Sequence, residues 1–448
     1  MSMSMHDDPE TARPEIADLL LALIIAVIVA LPSLPGRMSA DSLNMYEQAV
    51  FDSYTDQHVV LIPWIWHRLG VSPGLIAAET VIVVVAFVWA FLMIFRAAGL
   101  SRGRAGVAAA ALALFPPVHG YLTGVSKDSW TAAVLVLLFG LAVVGGGRGA
   151  FVVRALLAGL AVVIRPETVL LLPLLAFGDA FIRRAGVAAM AAFLAIGLVV
   201  PALNGVFVDR VARAEKTGPD SIIYLFDLVG LSLKRQEMLL PPAAFPAQDL
   251  QVLERHFHPS SVNTLVWGVP KEEMAVFVTG EDLADLRRRW IAAILANPLD
   301  YLEVRWPVIK AYLRGEWRYH PGIDPHPDIR SYFPAGVEAM NAVMDASPRL
   351  LASHIVPMTG AFVLLIALHF GARDRLDRAL AVFLGVGLCY QGLFLILIPA
   401  PDYRFGYAGV VIFYLALAAA VFRYLRALSA RARRAPRGKD DRDRHRIP

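Results

Sequence analysis

The chain has 448 residues, of which 57% are hydrophobic and only 18% are charged, and its mean hydropathy is +0.56. A soluble domain of this length needs a larger polar surface, so the composition predicts an all-α membrane protein that crosses the bilayer several times. The single cysteine, Cys389, excludes an intrachain disulfide framework. No cluster of cysteine and histidine predicts a zinc site, and no metal-ligand set is assigned.

About 20 apolar residues are needed for a helix to cross the hydrocarbon core. Ten segments approach or meet this length, and they predict about ten transmembrane helices. The segments lie at about 17–34, 75–95, 106–122, 130–147, 150–164, 168–182, 186–203, 351–370, 379–398 and 405–424. The fifth and sixth are short and flank Arg165-Pro166-Glu167, a pattern that also fits a broken hairpin that does not cross fully.

Basic residues predict the orientation of the helices, because cytoplasmic loops are enriched in arginine and lysine. With ten spans, the basic loops and the basic tail all fall on one side, which places both termini in the cytoplasm. These residues are Arg96, Arg102, Arg104, Arg148, Arg154, Arg183, Arg184, Arg373, Arg375, Arg378, Arg426, Arg431, Arg433, Arg434, Arg437 and Lys439. A cleaved signal peptide is the alternative for the first span, but this segment lacks a basic n-region.

Polar segments divide the chain into four predicted parts. Residues 1–203 form an N-terminal membrane domain whose first outward loop covers 35–74, and residues 204–350 form a mostly helical extracytoplasmic domain. Residues 351–424 form the C-terminal membrane helices, and 425–448 form a basic cytoplasmic tail suited to anionic lipid.

Every predicted outward loop carries ionisable residues beside a span, and charges at membrane depth are costly enough that they commonly serve a function. We predict that these loops converge on one cavity. The candidates are Asp41, Glu47, Asp52, Asp56 and His58 in the first loop, Lys127 and Asp128 in the second, Arg165 and Glu167 in the third, and Asp402, Tyr403 and Arg404 in the last. A structural explanation stays open for each: Asp41 and Asp128 also suit helix caps, and Arg165 also suits an ion pair with Glu167.

The residue types in these loops indicate a reaction on a lipid-linked phosphosugar. A carboxylate near the outer membrane face suits a general base or a divalent cation with oxygen ligands, and an arginine suits a phosphate. Trp64 and Trp66 offer aromatic surface to a sugar face or to the lipid headgroup region.

The loop motifs resemble those of the multi-spanning GT-C glycosyltransferases. In "ADSLNMYEQAV…YTDQHVVLIPWIW", Asp41 matches an acid near the start of the first loop. Asp56-Gln57-His58, followed by Leu61 and Trp64, resembles a D-x-H-P-P-L…W element, with Val59-Val60 in place of the two prolines. "GVSKDSW" resembles the second outward loop, "VIRPETVLLLP" an arginine-containing break, and "PDYRFGYAGV" a D-x-R-Y element.

The resemblance implies a bacterial inner-membrane enzyme that uses a polyprenyl-phosphate sugar, acts on a glycan, lipid or protein acceptor outside the cytoplasm, and inverts the anomeric carbon. It implies catalytic roles for Asp41, Asp56 and Asp128, with Asp41 as base. It implies substrate contacts for His58, Trp64, Lys127, Arg165, Glu167, Tyr403 and Arg404. No cofactor is assigned, and a divalent cation stays an alternative. No nucleic-acid site is predicted.

Two other classes of protein fit parts of the sequence. A lipid-linked saccharide transporter or flippase also places charges at membrane depth, but such proteins commonly contain internal repeats, and no repeat is evident here. A non-catalytic subunit of an envelope polysaccharide assembly system is the third hypothesis. One large polar segment between the seventh and eighth predicted spans favours the enzyme.

Overall fold

The computed structural model describes residues 15–270, 273–316, 329–351, 353–371 and 374–434, and this part of the chain is helical without β-strands. Its α-helices are α1 (Ile16–Ala30), α2 (Ala40–Phe51), α3 (Leu61–Leu69), α4 (Pro73–Ala97), α5 (Arg102–Leu114), α6 (Pro116–Leu122), α7 (Lys127–Val144), α8 (Arg148–Ile164), α9 (Leu172–Arg183), α10 (Val187–Val206), α11 (Ser221–Arg235), α12 (Leu250–His256), α13 (Asn263–Gly268), α14 (Gly280–Ala296), α15 (Pro298–Arg314), α16 (Pro334–Ala346), α17 (Ile355–Gly371), α18 (Arg375–Leu397) and α19 (Tyr407–Arg434). The predicted all-α fold class is confirmed.

The number of full spans differs from the ten that the sequence predicts. Within the described ranges, six helices are long and apolar enough to cross a membrane, and a seventh span results if α5 and α6, bent by 77°, are taken together. The bend lies at Pro116, which begins α6 because proline suits a helix start but not a helix interior. The predicted fifth and sixth spans are α8 and α9, of 17 and 12 residues, separated by the 3₁₀ turn Pro166–Leu171.

Arginine contacts identify one end of the helix bundle. Arg96 at the end of α4 lies 2.8 Å from Asp18 at the start of α1, and Arg423 near the end of α19 lies 2.7 Å from Asp374, which precedes α18. Arg426 of α19 packs on Gly99, just beyond α4, so these ion pairs belong to the same end of the bundle. Arg96, Arg102 and Arg426, three of the arginines assigned above to one side of the membrane, therefore lie at one end of the bundle, which we call the basic end.

Small residues let the spanning helices approach closely. A Cβ atom on Gly140 of α7 would lie 3.1 Å from the Cα atom of Ala90 in α4, and one on Gly159 of α8 would collide with the Gly197 carbonyl in α10. Lipid tails are as apolar as the helix surfaces, so association in a membrane depends on such close backbone packing. This close packing sets the relative positions of α4, α7, α8 and α10, and with them the positions of their polar ends.

The segment between α10 and α17 folds into short helices, but its predicted boundary at residue 204 falls inside a helical stretch. Helix α10 continues as the π-helical turn Phe207–Ala212. Residues 271–272 and 317–328 of the predicted extracytoplasmic domain lie outside the described residues. At the C-terminus α19 extends to Arg434, into the predicted tail, and residues 435–448 lie outside the described chain, as do residues 1–14.

A buried ion pair anchors this segment to the membrane helices. Asp227 of α11 accepts a hydrogen bond of 2.8 Å from the Trp290 indole and lies 3.4 Å from Arg305 of α15. Arg305 in turn donates to the carbonyl of Ile398, the residue that follows α18. Burial raises the pKa of Asp227 to about 6, although the charge of Arg305 opposes this shift.

Replacing Arg305 with alanine should destabilise the protein strongly, because it leaves the Asp227 carboxylate buried without its counter-charge. We expect the free energy of unfolding to fall by about 3–5 kcal/mol. Thermal or denaturant unfolding of the purified chain in detergent measures this. Arg288→Ala is the control: its pair with Asp285 is exposed and should contribute less than about 1 kcal/mol. Equal losses in the two variants would contradict the anchoring role.

Candidate active site at the end opposite the basic end

The first outward loop begins with a helix whose cap leaves Asp41 free for other contacts. Ser39 is the N-cap of α2: its hydroxyl accepts a hydrogen bond from the Ser42 amide at 3.3 Å, and its own amide donates to the Ser42 hydroxyl at 3.0 Å. The alternative that Asp41 caps this helix is therefore wrong. Asp41 lies in the first turn, with 23% of its side chain exposed.

Arg404 joins the last outward loop to the first. Its Nη1 donates to Asp41 Oδ2 at 2.8 Å, and its Nε lies 2.9 Å from Asp402 Oδ2. Arg404 belongs to the 3₁₀ turn Tyr403–Gly406 directly before α19, and Asp402 fixes this turn by accepting the Arg404 amide at 3.2 Å. The short D-x-R sequence thus places a guanidinium between two carboxylates.

Asp128 and Arg165 form a second pair, which is more deeply buried. Arg165 Nη2 lies 2.7 Å from Asp128 Oδ1, and the two side chains are 2% and 0% exposed. Ser126 caps α7 by accepting the Ser129 amide at 3.2 Å, so the alternative that Asp128 is the cap is also wrong. Likewise, the ion-pair partner of Arg165 among the described residues is Asp128, where the sequence also allowed Glu167.

The Arg165 guanidinium is held by aromatic rings as well as by charge. It lies 4.7 Å from the Phe394 ring centroid and 5.3 Å from that of Phe405, distances suited to cation–π attraction. Its Nε and Nη1 atoms are buried and have no hydrogen-bond partner among the described residues. Arg165 therefore keeps donors available while its position is fixed.

Lys127 and His58 complete a polar cluster that we define as Asp41, His58, Lys127, Asp128, Arg165 and Arg404. Burial alone would raise the pKa of Asp41, but the nearby charges of Arg404 and Lys127 outweigh it and hold this pKa well below its usual range. Burial lowers the pKa of His58 to about 4, so its imidazole is neutral at pH 7. All four predicted outward loops therefore contribute to one cluster, while their orientation and the catalytic roles of the members stay predictions.

Four other predicted site residues make different contacts. The Asp56 carboxylate accepts hydrogen bonds from the amide and hydroxyl of Thr217, at 2.7 and 2.8 Å. Trp64 packs edge-to-face on Phe207, with ring centroids 5.1 Å apart. Tyr403 donates its hydroxyl to the Pro117 carbonyl at 2.9 Å. Glu167 is partly buried, and its Oε2 has no hydrogen-bond partner among the described residues.

Two neighbours of the cluster had no site role assigned from sequence: Asp402 was a candidate without a role, and Tyr390 was not a candidate. Asp402 is an acid two residues before Arg404 in the sequence. Its contact with the Arg404 guanidinium is evident only in the structure. Tyr390 lies in the middle of an apolar helix, α18, and its buried hydroxyl lies close enough to Arg165 and Asp128 to feel their charges. A polar group inside a spanning segment is the only sequence signal for Tyr390.

The carboxylates of the described residues are not grouped in the way that a metal site requires. Within the described ranges, no three histidine, cysteine, aspartate or glutamate side chains are grouped so that they could share an ion. The predicted carboxylates are instead paired with Arg404, Arg165 and Thr217.

Comparisons with known proteins give a distant structural similarity. No protein-family profile and no curated protein matches the sequence. Two crystal structures of the Archaeoglobus fulgidus oligosaccharyltransferase are similar to it: the apo form, with 13% identity and a TM-score of 0.41, and a complex with Zn and sulfate, with 14% identity and a TM-score of 0.40. The matches cover 93% and 92% of this chain but 51% of each archaeal chain, so this chain spans about half the length of that protein. Similarity at this level transfers no residue role.

Removing Arg404 should change the ionisation of Asp41. In Arg404→Gln the burial of Asp41 remains while the nearest positive charge is lost, so its pKa should rise by about one to three units. Infrared difference spectra against the same variant carrying Asp41→Asn isolate this carboxylate during a pH titration.

Arg423→Gln is the matched control, since it removes an ion-paired arginine at the basic end, near the far end of the helix that Arg404 precedes. It should leave the titration of Asp41 unchanged. An Asp41 pKa that is the same with and without Arg404 would show that this pair does not control the carboxylate.

Proposed function

We propose that this chain is an inverting membrane glycosyltransferase that transfers a sugar from a polyprenyl-phosphate donor to an acceptor on the outer face of a bacterial cytoplasmic membrane. The observation that supports it is the polar cluster, in which four predicted outward loops bring carboxylates and cations together at one end of the bundle. A lipid-linked donor presents its phosphate at this depth in the membrane. The cluster supplies cations that can bind the donor phosphate and carboxylates that can accept a proton from the acceptor hydroxyl.

The cations of the cluster suit the phosphate of the donor. The Lys127 side chain makes no ion pair among the described residues, although it lies close enough to lower the pKa of Asp41. Arg165 has two buried nitrogen atoms without partners, as noted above, and Arg404 is only partly buried. Together they would stabilise the negative charge that grows on the phosphate as the glycosidic bond breaks. A lipid phosphate is already a good leaving group, so no general acid is required.

Asp41 is the proposed base for the acceptor hydroxyl. In the free protein its pair with Arg404 keeps it ionised, but a carboxylate of such low pKa is a weak base. A donor phosphate that binds Arg404 would compete for this guanidinium and weaken the 2.8 Å pair. The pKa of Asp41 would then rise, and the base would gain strength only when the donor is bound. Neutral His58, whose Nδ1 has no partner among the described residues, would bind a sugar hydroxyl.

The proposal is tested with the purified full chain in lipid nanodiscs and a panel of polyprenyl-phosphate sugars. Transfer of one sugar to an added or co-purified acceptor, with release of the lipid phosphate and inverted anomeric configuration, is the expected result. Transport of an intact lipid-linked saccharide across a proteoliposome membrane, without cleavage of the phosphosugar bond, would overturn the enzyme assignment.

Asp41→Asn should separate catalysis from binding. The amide cannot accept the proton, so transfer should fall by about a hundredfold or more, the scale of positioned acid–base help. Because the variant also releases Arg404 from its carboxylate, donor affinity should be equal to or higher than that of the parent. Initial rates and donor titrations at fixed acceptor concentration measure the two effects separately.

Asp374→Asn is the matched control, because Asp374 is also paired with an arginine but lies at the basic end. It should retain near-parental transfer. A fully active Asp41→Asn protein would exclude Asp41 as the base and direct attention to Asp128.

The orientation is tested by cysteine labelling in a Cys389→Ser background. Thr264 of α13 and Ser429 of α19 are both exposed, and they belong to the predicted outer domain and the predicted cytoplasmic tail. A membrane-impermeant thiol reagent applied to intact cells should label Thr264→Cys but not Ser429→Cys. The opposite pattern would place the polar cluster on the cytoplasmic side.

A further inference from the structure

A second polar cavity, of about 420 Å³, lies beside the first outward loop and outside the polar cluster. Arg68 of α3 lines it together with Arg210 and Arg213, which lie in and just after the π-helical turn that ends α10. None of these three guanidinium groups forms an ion pair with a described residue. All three are exposed, and three arginines that line one cavity without a direct ion pair attract an anion.

Two carboxylates also line this cavity, and one of them is already engaged. Asp52 accepts a hydrogen bond of 2.7 Å from the Tyr54 hydroxyl and lies 3.6 Å from His67 Nε2. Glu215 is fixed through its backbone, whose amide donates to the Tyr54 carbonyl at 2.8 Å. Neither carboxylate neutralises an arginine directly, so the three guanidinium groups remain available to a ligand.

Trp64 provides a rigid wall with an unused donor. Its indole Nε1 is buried and has no hydrogen-bond partner among the described residues, and Arg68 lies 5.4 Å from the centroid of its ring. Stacking on the ring holds the Arg68 guanidinium in place before a ligand binds. Trp64, predicted from sequence as a substrate contact, lines this cavity and is not part of the polar cluster.

The position of the cavity indicates which part of a ligand reaches it. Leu203 and Val206 near the end of α10 and Val211 in the turn that follows are exposed apolar residues close in sequence to Arg210 and Arg213. An apolar surface on a spanning helix that ends in unpaired arginines matches a lipid, with its chain along the helix and its phosphate at the membrane surface.

We propose that this cavity is a phosphate-binding site, formed by Arg68, Arg210 and Arg213 against Trp64, for an anionic lipid headgroup or a soluble phosphate ester. It is separate from the polar cluster, because Asp56 and Thr217 fix the loop between the two through hydrogen bonds of 2.7 and 2.8 Å. The site does not depend on the glycosyltransferase assignment.

The test measures lipid retention by native mass spectrometry of the full chain in detergent, with phosphatidylglycerol and, for comparison, zwitterionic phosphatidylcholine. Phosphatidylglycerol should be retained preferentially. Arg210→Gln/Arg213→Gln should weaken this retention by at least about tenfold, because each lost arginine removes charge-assisted hydrogen bonds to phosphate. Arg255→Gln/Arg314→Gln removes the same charge from exposed sites outside the cavity and should retain the lipid.

A second arm distinguishes the two sources of phosphate. Displacement of the lipid by millimolar glycerol phosphate identifies a site open to soluble esters, and failure of displacement identifies a headgroup site; both support the proposal. If the double variant does not elute as a folded protein, Arg68→Gln on the other side of the cavity takes its place. Retention that is equal in parent and cavity variants, or reduced equally in the control, would overturn the site.

Discussion

The interaction on which the rest of the site depends is the buried ion pair between Asp128 and Arg165. It joins the start of α7 to the residue that ends α8, and neither charge is accessible to water. Two desolvated charges stay in place only while they compensate each other, so the pair fixes the height and rotation of both helix ends. The Phe394 and Phe405 rings, from α18 and the turn before α19, close around the same guanidinium.

The ion pair of Asp41 and Arg404 differs from the buried pair in its exposure to solvent. Its side chains are 23% and 20% exposed, so water and a ligand can reach it and exchange its partners. Ser39 takes over the capping of α2, which leaves the Asp41 carboxylate free for this exchange. The cluster thus combines a fixed buried pair with an accessible pair, and only the second is suited to change its partner during a reaction.

Ion pairs between arginine and aspartate occur at both ends of the bundle. At the basic end, Arg96 and Arg423 pair with aspartates and hold neighbouring helix ends together. At the opposite end, Arg404 contacts both Asp41 and Asp402, and these contacts join two of the loops. Paired charges stabilise the helix bundle at both ends, but at the polar cluster the pair of Asp41 and Arg404 stays partly exposed.

The sequence alone determined the fold class and the loops that hold the polar cluster, because long apolar segments and charges beside them follow directly from the cost of moving polar groups into lipid. It did not determine the number of full spans, since Pro116 bends a segment whose hydropathy is continuous. Nor did it distinguish Asp41 from Asp56, two first-loop acids of equal chemistry. Tertiary structure decided that Asp41 meets Arg404, 363 positions away, while Asp56 binds Thr217, because ion-pair partners distant in sequence are selected by helix packing.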